Sequence, residues 1–193
     1  MFSKNTTRPP PIAGPKKVPV PPRSTISNPA ADTVRFKSAG LPGNLMVSSS
    51  VAITFVLGGI AVGRPWNHIV WFFALTAFLI DLAEEIAGDA MDIEGDKSRN
   101  SRSLAIVHGR DAALRISASL FFIVVLLGFV PFLLGWLGLN YLLIISLTGC
   151  AVLFFTFKLL KSRTPEAGRG AMRGIYLGIL FGMIAFMVDS FIS

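Results

Sequence analysis

The chain has 193 residues, of which 52% are apolar and only 15% charged, with a net charge of +7 and a mean hydropathy of +0.63. Soluble domains average about 25% charged residues, so charge is excluded here from long stretches and lipid is the expected solvent. A single cysteine, Cys150, rules out a disulfide framework, and its apolar setting predicts a small buried core residue.

Residues 1–42 differ from everything after them. Eight of the twelve prolines fall in the first 30 residues, seven Lys/Arg lie before position 43, and no acidic residue precedes Asp32. Such a segment buries too little apolar surface to fold, so a disordered basic tail with polyproline II character is expected. It has no apolar h-region of a secretory signal. Its cations suit anionic lipid headgroups.

Five apolar runs follow, at 45–62, 69–83, 113–137, 141–160 and 174–192. About 20 residues at 1.5 Å rise cross a hydrocarbon core of about 30 Å, so each run predicts a membrane span. The second run is short and needs a helical extension beyond the lipid, and Pro131 interrupts the third. Gly128, Gly135, Gly149, Gly178 and Gly182 predict close helix approach. The fold expected is therefore all-α: a polytopic membrane helix bundle of about five transmembrane helices over 43–193.

Basic residues alternate between the connections. The tail, the 86–112 loop (Lys97, Arg99, Arg102, Arg110) and the 158–173 segment (Lys158, Lys161, Arg163, Arg169, Arg173) are rich in them. The 64–68 loop holds only Arg64, and the 138–140 loop holds none. The positive-inside rule then places the N-terminus in and the C-terminus out, which requires an odd number of spans. A multi-pass protein of the cell membrane is expected, with membrane lipid as a partner and no nucleic acid.

Seven of the eleven acidic residues fall in the sixteen positions 81–96. A charge at the bilayer centre costs about 2.5–3.5 kcal/mol on insertion scales, so this segment belongs at the surface or in a polar cavity. Asp81, Glu85, Asp89, Asp92 and Asp96 are spaced 4, 4, 3 and 4. At about 100° per residue they fall on one helical face roughly 80° wide, with Glu84 and Glu94 elsewhere. Without cysteine or histidine in the stretch, zinc does not fit, whereas all-oxygen donors suit Mg²⁺, Mn²⁺ or Ca²⁺. Mg²⁺ takes one or two protein carboxylates and completes its shell with water and phosphate, so the stripe and the cations after it fit a Mg²⁺–diphosphate site. The competing reading is a solvated charge run in which Asp and Arg pair locally.

The run Glu85-Ile86, Asp89, Asp92-Ile93-Glu94-Gly95-Asp96-Lys97 resembles the second aspartate-rich motif of the UbiA superfamily of intramembrane prenyltransferases, closest to its archaeal digeranylgeranylglyceryl phosphate branch. Gly43-Asn44-Leu45 with Val47 is similar to that family's fifth span. The likeness covers about residues 35–193, which would be spans five to nine of nine. It departs at Glu84 and Gly88, where the branch has cations, at Asn100 for Gly, and at Ser103-Leu104-Ala105 for Thr-Leu-Pro. Nothing matches the family's first aspartate motif, so the chain looks like a C-terminal half. A partner chain would then supply the rest.

The resemblance implies Mg²⁺-dependent transfer of a prenyl group from its diphosphate, geranylgeranyl diphosphate for that branch. The lipophilic acceptor would be of the geranylgeranylglyceryl phosphate kind. It implies Asp89, Asp92 and Asp96 as catalytic and metal-binding residues, and Glu85, Lys97, Arg102 and Asn44 as substrate contacts. Two alternatives stand beside it: an inactive remnant or half-subunit, and a small cation-binding transporter subunit. The spans carry few polar residues besides Asp81 and Asp189, which counts against the transporter. His68, Trp66, Trp71 and Trp136 read as interfacial, and His108 as a turn residue.

Overall fold

The computed structural model describes residues 40–192; the expected tail lies outside them except for positions 40–42. Among the described residues there are eight helices and no strand: α1 (Leu41–Ala61), α2 (His68–Met91), α3 (Ile93–Ser98), α4 (Leu104–His108), α5 (Arg110–Gly128), α6 (Val130–Leu133), α7 (Leu139–Leu160) and α8 (Pro165–Ile192). Four segments are long and apolar enough to cross a membrane: α1, α5 with α6, α7 and α8. The other long helix, α2, has 24 residues and measures about 36 Å. It covers the expected second apolar run but is not one of those four, and its last turns carry the carboxylates.

Helix α1 starts four residues before its apolar run, inside the segment expected to be tail. Gly40 caps it with φ 66°, and Pro42 suits a first turn whose N–H groups have no partner. A side chain at Gly40 would run into the Arg102 carbonyl, so the start of α1 is held against the 101–103 loop. At α2 the Asn67 side chain accepts from the Ile69 N–H at 2.8 Å, which caps the helix. The carboxylate stripe does not lie on one helix. α2 ends at Met91, Asp92 leaves helical geometry with φ −123°, and α3 restarts the chain. The third run is interrupted at Phe129, between α5 and α6, with Pro131 in the first turn of α6.

Helix α2 is central, packing on α1, α5 and α8, while α7 bridges α5 and α8. Ala83, Ile86, Ala87 and Ala90 meet Leu114 and Phe121 of α5, Leu159 of α7 and Ile175 of α8 in one buried cluster. Alanine on α2 lets the helices approach closely, which in lipid replaces the missing hydrophobic drive. Gly174 does the same for α7 and α8, since a Cβ there would strike the Phe155 ring. Gly128, Gly149, Gly178 and Gly182 also sit against side chains of a neighbouring helix. Gly135 instead makes a turn, with φ 68°. Cys150 corrects its expectation: it is exposed on α7, where lipid and core look alike to hydropathy.

The helices alternate in direction, so the two ends differ. One end gathers aromatic groups and a polar pair: His68 lies 4.3 Å from the Trp136 ring, Trp66 stacks on Trp71, and Asn140 donates to Asp189 at 2.8 Å. The other end holds the carboxylates and most of the described cations. There Arg110 donates to the Ser162 carbonyl at 2.8 Å and Arg169 to the Met91 carbonyl at 3.3 Å. Each guanidinium reaches the C-terminal end of another helix, α7 for Arg110 and α2 for Arg169, where the macrodipole favours a cation.

Candidate functional site

At the cation-rich end the helices leave a polar cavity of about 310 Å³. Helix α1 contributes Asn44, and α2 contributes Asp81, Glu84, Glu85, Gly88 and Asp89. Asp92 and Asp96 follow from the break and from α3, Arg99 from just after α3, and Met172 and Tyr176 from α8. All five residues of the sequence stripe therefore reach one cavity although their helix is broken. Glu84 joins them, contrary to its phase, because the cavity wraps around α2 toward α8, where the Tyr176 hydroxyl donates to it. Glu94 is exposed and lies outside the lining.

Helix α1 positions two of the carboxylates. The Asn44 amide donates to Asp89 Oδ2 at 2.8 Å, and one turn on Ser48 Oγ donates to Asp81 Oδ2 at 2.9 Å. Both donors are buried, Ser48 completely. The spacing of four sets them on one face of α1, opposite Asp81 and Asp89 on one face of α2. These bonds fix the register of the two helices at the site.

Arg99 clamps the break. Its guanidinium lies 2.9 Å from Asp92 Oδ2 and 2.8 Å from Asp96 Oδ1, and these are the ion pairs among the described residues. Local Asp–Arg pairing is thus present, yet it leaves Asp81, Glu84 and Asp89 in the same cavity without an ion pair. Asp96 is 4% exposed, and its Oδ2 is buried with no hydrogen-bond partner. The Asp92 carboxylate folds over Gly95, where a Cβ would lie 2.5 Å from Oδ1. Burial, together with the charges of Asp96 and Glu85, pushes the Asp89 carboxyl up to about 6, against the Asn44 hydrogen bond and Arg99.

Asp89, Asp92, Asp96, Glu85 and Asn44, singled out from the sequence, all line this cavity. Lys97 and Arg102 do not; both are exposed beside it. Among the described residues no three acidic, cysteine or histidine side chains converge tightly enough to form a metal cluster. Arg99 was among the cations that the sequence set after the stripe, whereas Ser48 and Tyr176 carry no sequence signal of their own, because their carboxylate partners are 33 and 92 positions away.

The model of the UbiA prenyltransferase family matches residues 28–188. The chain belongs to the UbiA prenyltransferase family. It is 36% identical over 155 residues to digeranylgeranylglyceryl phosphate synthase of Methanopyrus kandleri, covering 80% of this chain and 56% of that protein. The corresponding synthases of Thermococcus sibiricus and Methanococcus vannielii are 31% and 34% identical, with 54% and 55% of their length covered. This chain thus spans about half the length of the curated relatives it matches. No solved structure matches it. As a UbiA-family protein with four apolar helices able to cross a bilayer, it is an integral membrane protein. The carboxylate cavity lies within the matched region, as does the motif by which the sequence resembled this family.

Proposed function

We propose that the carboxylate cavity holds the diphosphate end of a prenyl diphosphate for transfer of the prenyl group to a lipid acceptor. The observation that carries this reading is the convergence of six carboxylates and Arg99 at the polar end of an apolar bundle. By the product that names the relatives, the donor is geranylgeranyl diphosphate and the acceptor geranylgeranylglyceryl phosphate. The prenyl chain would lie among the apolar helices. The charge pattern puts the cavity on the cytoplasmic side, with the C-terminus out.

The donor set fits Mg²⁺. Every candidate ligand is an oxygen, the unpartnered Asp96 Oδ2 is buried at the site, and Mg²⁺ needs only one or two protein carboxylates. Asp89, Asp92 and Asp96 would hold it. When bound, Mg²⁺ supplies positive charge against the diphosphate oxygens. Arg99 holds Asp92 and Asp96 in place and adds a cation on the same wall. Asn44 and Ser48 orient Asp89 and Asp81, and the buried alanine-rich face of α2 keeps water from the opposite side. A partner chain carrying an opposed aspartate motif completes the site in this reading.

The test is transfer from labelled geranylgeranyl diphosphate to geranylgeranylglyceryl phosphate, using the chain alone and together with a chain bearing the first motif. Mg²⁺-dependent product in either arm, lost in Asp92→Ala and Asp96→Ala, is expected. Product that survives both substitutions would contradict the assignment.

A further inference from the structure

The proposed acceptor ends in a phosphate monoester, and that dianion has to be held near the cavity without resting on its carboxylates. Helix α2 has no Lys or Arg anywhere between His68 and Met91. Arg99 is engaged with Asp92 and Asp96, and Lys97 and Arg102 lie outside the lining. Helix α8 is different. Its Met172 and Tyr176 line the cavity. At about 100° per residue, Arg169, Met172, Arg173 and Tyr176 share a face roughly 100° wide, so the cavity-lining face runs on toward the start of α8 through two arginines. Each successive turn is about 5.4 Å further along.

These two cations are available. Arg173 is exposed and makes no ion pair among the described residues. Arg169 is exposed, and one of its N–H groups reaches the Met91 carbonyl at 3.3 Å, which ties it to the end of α2 just before Asp92. Its remaining donors point to no acidic partner among the described residues. The cavity thus has a carboxylate wall on α2 and α3, and Arg169 and Arg173 lie outside its lining but continue the face of α8 that carries Met172 and Tyr176. A diphosphate with its metal suits the first, and a bare phosphate monoester suits the second.

Resting on the function proposed above, we infer that Arg169 and Arg173 form the binding site for the phosphate of the lipid acceptor. They sit near the start of α8, beside the end of α2 that carries the carboxylates. They select an acceptor with an anionic head over a neutral lipid alcohol of the same chain.

The full chain in lipid nanodiscs without anionic lipid is titrated with geranylgeranylglyceryl phosphate, with geranylgeranylglycerol, and with geranylgeranyl diphosphate plus Mg²⁺. The parent chain is expected to prefer the phosphate over the neutral alcohol. Arg169→Gln and Arg173→Gln are each expected to weaken phosphate binding about 3- to 10-fold, and Arg173→Lys to restore part of it, since exposed charge-assisted contacts are of that size. Binding of the alcohol and of the diphosphate stays unchanged in both variants, which also reports an intact fold. Equal affinity of the parent chain for phosphate and alcohol would overturn the inference. So would arginine variants that weaken the diphosphate and leave the phosphate untouched. Loss of diphosphate binding in Asp96→Asn alongside normal phosphate binding in the arginine variants would sink this inference and leave the proposed function standing. Diphosphate binding that ignores the aspartates would sink the proposed function.

Discussion

Ser48 is wholly buried, and its hydroxyl lies 2.9 Å from both Asp81 Oδ2 and the Asn44 carbonyl. Replacing it by alanine removes the donor and leaves a carboxylate less satisfied. Ser48→Ala should lower stability by about 1 kcal/mol, measured by unfolding in mixed detergent. Asp89 gives a pH dependence. Its folded-state value of about 6 lies above the ordinary 3.8, chiefly because burial disfavours the charge. The folded state therefore binds the proton more tightly than the unfolded chain does. The stabilisation is complete below about pH 3.8 and is lost as pH rises through about 6. The metal-free chain should melt at falling temperature from pH 4 to pH 7, a fall to which the Glu84 carboxyl, pushed up to about 8 by burial, also contributes, and Asp89→Asn should flatten part of it. An unchanged slope in the variant would remove Asp89 as its source. The aspartates were legible because acidic residues at helical spacing stand out in an apolar chain. Ser48 and Tyr176 were not, since each matters through a contact that only the fold creates. Cys150 misled because in lipid an apolar neighbourhood does not distinguish core from surface.

At the scale of elements, hydropathy located all five long helices, and only their ends and breaks escaped it. Helix α1 begins earlier than its apolar run because Gly40 and Pro42 build a start that hydropathy does not weigh. The break at Asp92 was hidden because the carboxylates continue in phase on both sides of it. Resemblance suggested glycine at position 100, and Asn100 takes the left-handed φ of 52°, which asparagine tolerates better than most residues. The α7–α8 contact offers a direct check of packing. Gly174 lies against the Phe155 ring, whereas nothing lies within 4 Å of a Cβ at Gly170 on the same helix. Gly174→Ala should destabilise by about 1–3 kcal/mol through overpacking. Gly170→Ala should be neutral or stabilising by up to about 1 kcal/mol through helix propensity. Equal effects at both positions would show that α7 and α8 do not meet as described.

Across the whole molecule, the two ends of the bundle carry different chemistry. The aromatic end, with His68, Trp136 and the Asn140–Asp189 pair, is built to meet an interface. The other end gathers the carboxylates of α2 and α3 and Arg99 around one cavity, with Arg110 of α5 and Arg169 of α8 at the same end. In the function proposed above, this cavity takes a metal-bound diphosphate. The measurement that tests it most directly is equilibrium binding of labelled geranylgeranyl diphosphate to the purified chain, with Mg²⁺ and with chelator, beside Asp92→Asn and Asp96→Asn. Binding should require Mg²⁺ and fall at least 10-fold in either variant, since removing a charged ligand group costs about 1.5–3 kcal/mol. Binding of equal strength with chelator, or in both variants, would contradict it.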